Sequence, residues 1–461
     1  MKTPRFFQPD RRGRELLVSP DFTAEEFAAR RQRLAERIGP GAHLLIPSAP
    51  PVPDDTPLQD ANFYYCCGLE TCHSYLLVEG GSGRTALFLP SRDTLAGEPE
   101  NRLGFEDAAW IQERLRLERV APAAELTAAL AQAKTVYLPQ AEVEGGGVTC
   151  FAANGCAQRR EAEEWDRAEP RHKRLTRLLR ERFPGLGIED AAPLLYDLRT
   201  IKSPAEIALL RQAGRLSAAA LVEAMRATRP GIVENRLQAV AEYVFRDRGH
   251  CGLGYGVIAA GGQRTWDGHY HLNNATLRDG EAVLMDCGPD LRHYTSDIAR
   301  FWPVNGVYSP WHRRVYGFIV AYHKTLLSLI RPGVLCADIY AEAARRMRAL
   351  CEGPNAPFAE VRPLFEQMLQ RAVPYMNHAV GLSVHDAVGA WRDQPLREGL
   401  VCVADPMVWC EPQHEYIRVE DTIVVTATGC ERLTGDAPIE PDEIEALMAR
   451  RRGGRQPPSA P

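Results

Sequence analysis

Two stretches of the chain repeat one pattern, in which an acidic residue closes an apolar run. Leu277–Asp286 reads LRDGEAVLMD and Leu396–Asp405 reads LREGLVCVAD, with the same Leu-Arg-acid-Gly start. A second extended run follows each of them and carries Asp297 in the first copy and Glu420 in the second. An acidic side chain in an apolar strand is costly unless it is paired or ligated. We therefore expect two β-hairpins with a carboxylate on each arm, and a shared cation or a shared proton between the facing acids.

The helical segments upstream of the two hairpins repeat as well. RLSAAALVEAMRATRPG ends at Gly231 and AYHKTLLSLIRPG ends at Gly333, so each predicted helix is closed by Arg-Pro-Gly. Each is followed by a second amphipathic segment. Ser203 and Ser309 are expected to cap the first helix of each half, because Pro follows both and Glu206 completes a capping box in the first. Two helix-helix-hairpin halves predict a pseudo-twofold domain with its site between the halves.

Bulk properties exclude several classes of protein. The chain of 461 residues is long enough for two domains, and its net charge of -5 gives no sign of nucleic-acid or membrane binding. Its start lacks the apolar core of a signal peptide, and no apolar run approaches the roughly 18 residues of a membrane span. We therefore expect a cytoplasmic protein. The 12 cysteines show no zinc-binding spacing, and most are expected to be buried thiols.

The first part of the chain, residues 1–187, is expected to form an α/β domain of its own. Gln59–Gly68 is interpreted as an aromatic-rich strand, for which a place in the core is favoured over a substrate-facing wall. A break at Pro184–Gly187 places the domain boundary near residue 188. A second domain is then expected over 188–451, and the Pro/Gly-rich residues 452–461 are expected to form a disordered tail.

Three histidines precede the hairpins. His269 precedes the first hairpin, and His378 and His385 precede the second. A lone histidine is more often a surface or core residue than a ligand, but here the repeat places the histidines beside four strand carboxylates. Four acids and one imidazole suit two divalent cations such as Mn, Co, Fe or Zn better than one structural zinc. Two such cations can share a hydroxide and polarise a carbonyl, which is the arrangement of metal-assisted hydrolysis.

These motifs resemble the pita-bread metallopeptidases, the group of methionine aminopeptidase, prolidase and aminopeptidase P. The paired-acid hairpin with VEDTIVVT carries the likeness in the second domain, while QDANFYYCCGLE and FLPSRD resemble the N-terminal domain of aminopeptidase P and prolidase. The resemblance implies an N-terminal α/β domain with a mixed sheet and a C-terminal pita-bread domain of pseudo-twofold α+β type. It also implies a homodimer or homotetramer.

The function implied by the resemblance is that of an Xaa-Pro aminopeptidase. Such an enzyme hydrolyses the N-terminal Xaa-Pro bond, through a metal-bridging hydroxide, in peptides with proline at the second position. An Xaa-Pro dipeptidase, a metal-free creatinase-like hydrolase and a peptide-binding module of the same fold remain as alternatives. The resemblance implies two divalent metal ions, with Mn favoured over Co, Fe or Zn. The implied ligands are Asp286, Asp297, His378, Asp405 and Glu420.

The resemblance further implies catalytic roles for His269, His385, Asp405 and Arg418. The two histidines would contact the substrate or the transition state, Asp405 would accept the proton of the hydroxide, and Arg418 would stand beside the ligand Glu420. In this family the acid at the position of Asp405 is a glutamate in a Glu-Pro-Gly motif, whereas this chain reads Asp-Pro-Met and has a shorter loop. Pro374 also stands where a first histidine would be. We therefore expect a weaker second metal site.

Overall fold

The computed structural model describes residues 17–50, 59–94, 103–142, 150–165, 167–353, 356–371, 375–376, 378–387 and 390–450. Pro374 and the predicted tail at 452–461 lie outside these ranges. The chain divides into two compact units, Met1–Arg199 and Thr200–Pro461. In the described part of the chain, no helix is both long and apolar enough to cross a membrane.

Helices and strands are interspersed along the first unit. They are α1 (Ala24–Ile38), β1 (Ala42–Pro47), α2 (Ala61–Cys67), β2 (Tyr75–Glu79), β3 (Thr85–Leu89), α3 (Ala108–Leu115), β4 (Arg119–Pro122), α4 (Leu126–Leu130), β5 (Thr135–Leu138), α5 (Cys150–Ala162), α6 (Arg171–Arg182), β6 (Gly187–Asp190) and α7 (Ala192–Thr200), which runs up to the boundary. The boundary near residue 188 stays a prediction; in the structure the residues there form β6, which pairs with β5.

The first unit is built on one sheet of mixed direction. Its strand order is β4-β3-β2-β1-β5-β6, in which β1 pairs antiparallel with β2 and parallel with β5. Apolar side chains of neighbouring strands, among them Leu45, Leu77, Phe88 and Val136, form a buried core on this sheet. The predicted α/β domain with a mixed sheet is confirmed.

The aromatic stretch after residue 59 is a helix, so its interpretation as a strand is wrong. Asp60 caps helix α2, because its carboxylate accepts the N–H groups of Asn62 and Phe63, and Gly68 ends the helix in the left-handed region at φ 64°. These two end signals outweigh the strand preference of the aromatic residues. The predicted burial is confirmed, because every residue from Ala61 to Cys67 is buried.

In the second unit, groups of helices are followed by groups of short strands. Its elements are α8 (Pro204–Ala227), α9 (Asn235–Gly249), β7 (Gly252–Leu253), β8 (Ile258–Gly261), β9 (Ala282–Asp286), β10 (Pro289–Asp290), β11 (Ile298–Pro303), α10 (Pro310–Leu329), α11 (Cys336–Cys351), α12 (Arg362–Gln370), β12 (Val401–Ala404), β13 (Met407–Cys410), β14 (Glu415–Arg418), β15 (Glu420–Val425), β16 (Cys430–Arg432) and α13 (Pro441–Arg450).

One antiparallel sheet joins the two copies of the repeat. Its strand order is β12-β15-β11-β9-β8, and β16 also pairs with β15. In the first predicted hairpin β9 pairs with β11, and in the second β12 pairs with β15, so both pairings are confirmed. The hairpins meet where β11 pairs with β15. This pairing brings the acidic ends of the two hairpins to one region of the sheet.

The helix starts predicted for the two halves are also present. The Ser203 side chain accepts the N–H of Glu206, whose carboxylate accepts the N–H of Ser203, and this completes the capping box of α8. The Ser309 side chain accepts the N–H of His312 at the start of α10. Both caps satisfy N–H groups that lack partners inside the helix.

Candidate active site

Four carboxylates from the two hairpins gather at the centre of the antiparallel sheet. Asp286 ends β9, Asp297 directly precedes β11, Asp405 directly follows β12, and Glu420 begins β15. Each is at most 4% exposed. Ala299 in the middle strand β11 pairs with Asp286 in β9 on one side and with Glu420 in β15 on the other. These two acids therefore flank Ala299 on the two adjacent strands. The sequence prediction that the four acids come together agrees with this geometry.

His378 completes a group of possible metal ligands with two of these acids. Its Nε2 lies 3.5 Å from Asp297 Oδ2 and 3.9 Å from Glu420 Oε1. The three residues offer ligand atoms that all lie within 4.8 Å of one another. The carbonyl of His378 accepts the N–H of Val403 at 3.2 Å, which ties the turn that carries this histidine to β12.

Tyr255 links the two acids of the first hairpin. Its hydroxyl lies 2.7 Å from Asp286 Oδ1 and 2.8 Å from Asp297 Oδ1. The single hydroxyl proton can be donated to one carboxylate at a time, so the two acids share this donor. The sequence reasoning missed Tyr255, because nothing in the stretch GLGYG that precedes β8 connects it with the acids.

Arg418 supplies the positive charge of the cluster. Its guanidinium donates to Asp286 Oδ2 and lies 2.8 Å from Glu420 Oε2 and 3.6 Å from Asp405 Oδ2. The sequence prediction placed this arginine beside Glu420, and the geometry agrees with that position. One guanidinium cannot balance four carboxylates, so the cluster carries an excess of buried negative charge when the acids are ionised.

The pKa values of the acids reflect this excess. Burial raises the pKa of Asp286 to about 7 and that of Asp405 to about 6, although Arg418 acts in the opposite direction. Burial likewise raises the pKa of Asp297, and it raises the pKa of Glu420 well above its ordinary value. Among the described residues, neither carboxylate oxygen of Asp405 has a hydrogen-bond partner. Buried oxygens without donors and surplus negative charge fit a site for divalent cations.

The two histidines predicted to contact the substrate differ in their surroundings. The ring of His385 lies 4.3 Å from that of His378, and burial lowers the pKa of His385. His269 is exposed. Neighbouring protein atoms displace water from its ring and the charge of Arg418 repels its proton, so the pKa of His269 is also lowered. The charge of Arg418 thus acts on both rings, and the ring contact with His378 places His385 beside the carboxylate cluster.

Comparisons with known proteins match this chain over nearly its whole length. A model described as Metallopeptidase family M24 matches residues 208–427, and one described as Aminopeptidase P, N-terminal domain, matches residues 27–137. The chain is 30% identical to Xaa-Pro aminopeptidase of Escherichia coli strain K12, over 94% of this chain and 99% of that protein. It is 27% identical to Xaa-Pro aminopeptidase 3 of Rattus norvegicus, over 94% of this chain and 87% of that protein.

Solved structures give the same result for the fold. Proline aminopeptidase P II from Yersinia pestis is 29% identical and superimposes with a TM-score of 0.73, covering 93% of this chain and 100% of that one. Aminopeptidase P from E. coli with the inhibitor Pro-Leu is 27% identical, also with a TM-score of 0.73, and covers 94% of this chain and 100% of that one. The predicted pita-bread architecture is thus confirmed, and the chain belongs to the Xaa-Pro aminopeptidases of metallopeptidase family M24.

Proposed function

We propose that this protein is a metal-dependent exopeptidase that removes the first residue from peptides with proline at the second position. The observation that carries the proposal is the group of four buried carboxylates that contact Arg418 or Tyr255, with His378 beside two of them. The Xaa-Pro aminopeptidases that match the chain over nearly its whole length support the substrate class.

Five residues are proposed to hold two divalent cations, and they are Asp286, Asp297, His378, Asp405 and Glu420. The bound cations would polarise the scissile carbonyl and lower the pKa of a water so that it can attack. Mn is the proposed metal, because a ligand set dominated by carboxylate oxygens with one imidazole suits it, and Co, Fe and Zn are the alternatives. Tyr255 and Arg418 would orient the ligands Asp286, Asp297 and Glu420 through the contacts described above.

Asp405 is proposed as the group that receives a proton during hydrolysis. Its oxygens lack hydrogen-bond donors among the described residues, and burial raises its pKa to about 6. A buried carboxylate whose oxygens lack other donors can accept a proton from the attacking water, which is the task of a general base.

His269 and His385 are proposed to bind the peptide. Both have lowered pKa values, so at neutral pH each ring is neutral and presents one N–H donor. His269 would donate to the carbonyl oxygen on which negative charge develops. His385 would hold the peptide on the leaving side.

A panel of short peptides tests the proposal. An Xaa-Pro-Xaa tripeptide should be cleaved after its first residue, and replacing proline by alanine should lower kcat/KM by about 10- to 200-fold, the range of a shape-selective pocket. Equal rates on the two tripeptides would remove the Xaa-Pro assignment. Cleavage restricted to Xaa-Pro dipeptides would identify an Xaa-Pro dipeptidase instead. The homodimer or homotetramer stays a prediction, which light scattering of the purified protein measures.

A further inference from the structure

The turn that carries both His378 and His385 is held by its own backbone and by strand β12. The N–H of Asp386 donates to the carbonyl of Ala379 at 3.0 Å, which closes the turn between the two histidines. The N–H of Val380 donates to the carbonyl of Val401 in β12 at 3.1 Å. These bonds fix the ends of the turn, but they do not fix the direction of the side chains along it.

A buried ion pair reaches this turn from the start of helix α8. Lys202 Nζ lies 3.0 Å from Asp386 Oδ2, and each of the two side chains is 1% exposed. Lys202 is itself fixed, because its N–H donates to the carbonyl of Gly399 at 2.9 Å and Ser203, the next residue, caps α8. A buried charge is costly unless it is paired, so the attraction between the two side chains restrains that of Asp386.

The backbone of the turn is shaped around the ion pair. A Cβ added at Gly381 would lie 2.1 Å from Asp386 Oδ2 and 2.9 Å from Lys202 Cε, so only glycine leaves room for the pair. The carbonyl of Gly381 accepts the N–H of Thr295 at 2.9 Å. The same turn is therefore bonded to the segment that leads to the acid Asp297.

We propose that Lys202 and Asp386 are positioning residues for the histidine turn. Asp386 follows His385 directly in the chain, so holding its carboxylate on Lys202 restrains the rotation of this part of the turn. The restraint keeps the ring of His385 4.3 Å from the ring of His378, whose Nε2 lies 3.5 Å from Asp297 Oδ2. The inference rests on the proposed peptidase function, and it assigns Lys202 and Asp386 a role that acts through the two histidines.

The test replaces the pair without leaving a buried charge. The double variant Lys202→Met/Asp386→Leu keeps the site neutral, and such replacements of buried ion pairs commonly retain the fold. We expect the dissociation constant for Mn, measured by isothermal titration of the metal-free protein, to rise by about 10- to 100-fold, the usual effect of losing a group that orients metal ligands. With Mn saturating, kcat on an Xaa-Pro-Xaa tripeptide should fall while the melting temperature of the metal-free protein changes little.

A matched control removes a different ion pair of the same unit. Arg211 on α8 donates to Glu431 from Nε at 2.7 Å and from Nη2 at 2.8 Å. Arg211→Met/Glu431→Leu should leave Mn affinity and kcat within about twofold of the wild type. Asp386→Asn, which preserves the shape of the side chain, is the second test variant and should weaken Mn binding in the same direction.

Different results would overturn the positioning role and the proposed function. A folded double variant or Asp386→Asn variant with wild-type Mn affinity and wild-type kcat would overturn the positioning role. A wild-type protein that neither binds Mn nor cleaves Xaa-Pro peptides would instead overturn the proposed function.

Discussion

Ala299 in strand β11 lies directly opposite Glu420 in strand β15. On the other side Ala299 lies opposite Asp286 in β9. Directly opposed residues of neighbouring strands project from the same face of a sheet, so a methyl group separates acids that come from the two copies of the repeat. The site therefore exists only when both halves of the domain pair through β11 and β15.

Replacing Ala299 by a larger residue tests the geometry of the carboxylate cluster. Ala299→Val places two more carbons between Asp286 and Glu420, and overpacking of this kind costs about 1–3 kcal/mol of stability. Mn affinity should fall as well, because the carboxylates are pushed apart. Ala282→Val, in the equally buried first residue of β9, is the control and should cost stability without a comparable loss of affinity. Equal Mn affinities in the two variants, measured by isothermal titration, would contradict the placement of Ala299.

Tyr255 should contribute to metal binding through its hydroxyl. Tyr255→Phe removes the donor shared by Asp286 and Asp297, so both carboxylates lose a restraint on their orientation. We expect Mn affinity to drop by about 10-fold or more, as for other groups that orient ligands. Tyr243→Phe is the control, because Tyr243 is 66% exposed. An unchanged Mn dissociation constant in Tyr255→Phe would show that the hydroxyl has no such role.

His269 should affect turnover and not metal content. It is exposed, whereas each of the four proposed carboxylate ligands is buried. His269→Ala is expected to lower kcat by about 10²- to 10³-fold, the cost of one donor to the transition state. Elemental analysis of the variant should give wild-type metal content. Loss of metal in this variant would mean that His269 is a ligand.

The raised pKa of Asp405 predicts how stability depends on pH. Its pKa rises on folding from 3.8 to about 6, so the folded protein binds this proton more tightly than the unfolded chain. The contribution of Asp405 to stability is therefore largest below pH 3.8 and is lost as pH rises through about 6. In chelator, Asp405→Asn should gain stability over the wild type across this window, by about 3 kcal/mol at neutral pH.

Thermal unfolding of the two proteins at a series of pH values measures this difference. Comparing the variant with the wild type cancels the opposing contribution of the buried histidines, which are common to both. A stability difference between the two proteins that stays constant from pH 4 to pH 7 would show that the pKa of Asp405 is not raised on folding. Saturating Mn should reverse the order of stability, because the cations stabilise the ionised carboxylate.

The repeat made most of the second unit predictable from the sequence. Both hairpin pairings, the caps at Ser203 and Ser309 and the gathering of the four acids follow from local patterns that the structure reproduces. Tyr255 was not predictable, because it approaches the acids only through the fold and its own neighbours carry no signal. The same holds for the buried pair of Lys202 with Asp386, whose partners are far apart in the chain. At Gln59–Gly68 the end signals of a helix outweighed strand preference.

Elemental analysis of protein purified without chelator measures directly whether the carboxylate cluster holds metal ions. We predict two transition-metal ions per chain, and we predict that dialysis removes one well before the other, because the side chain of Asp405 is one methylene shorter than the glutamate of the family. Titration of the metal-free protein with Mn should then show one tight and one weaker site. A protein that carries no transition metal and binds no added Mn would contradict the account of a metal-dependent peptidase.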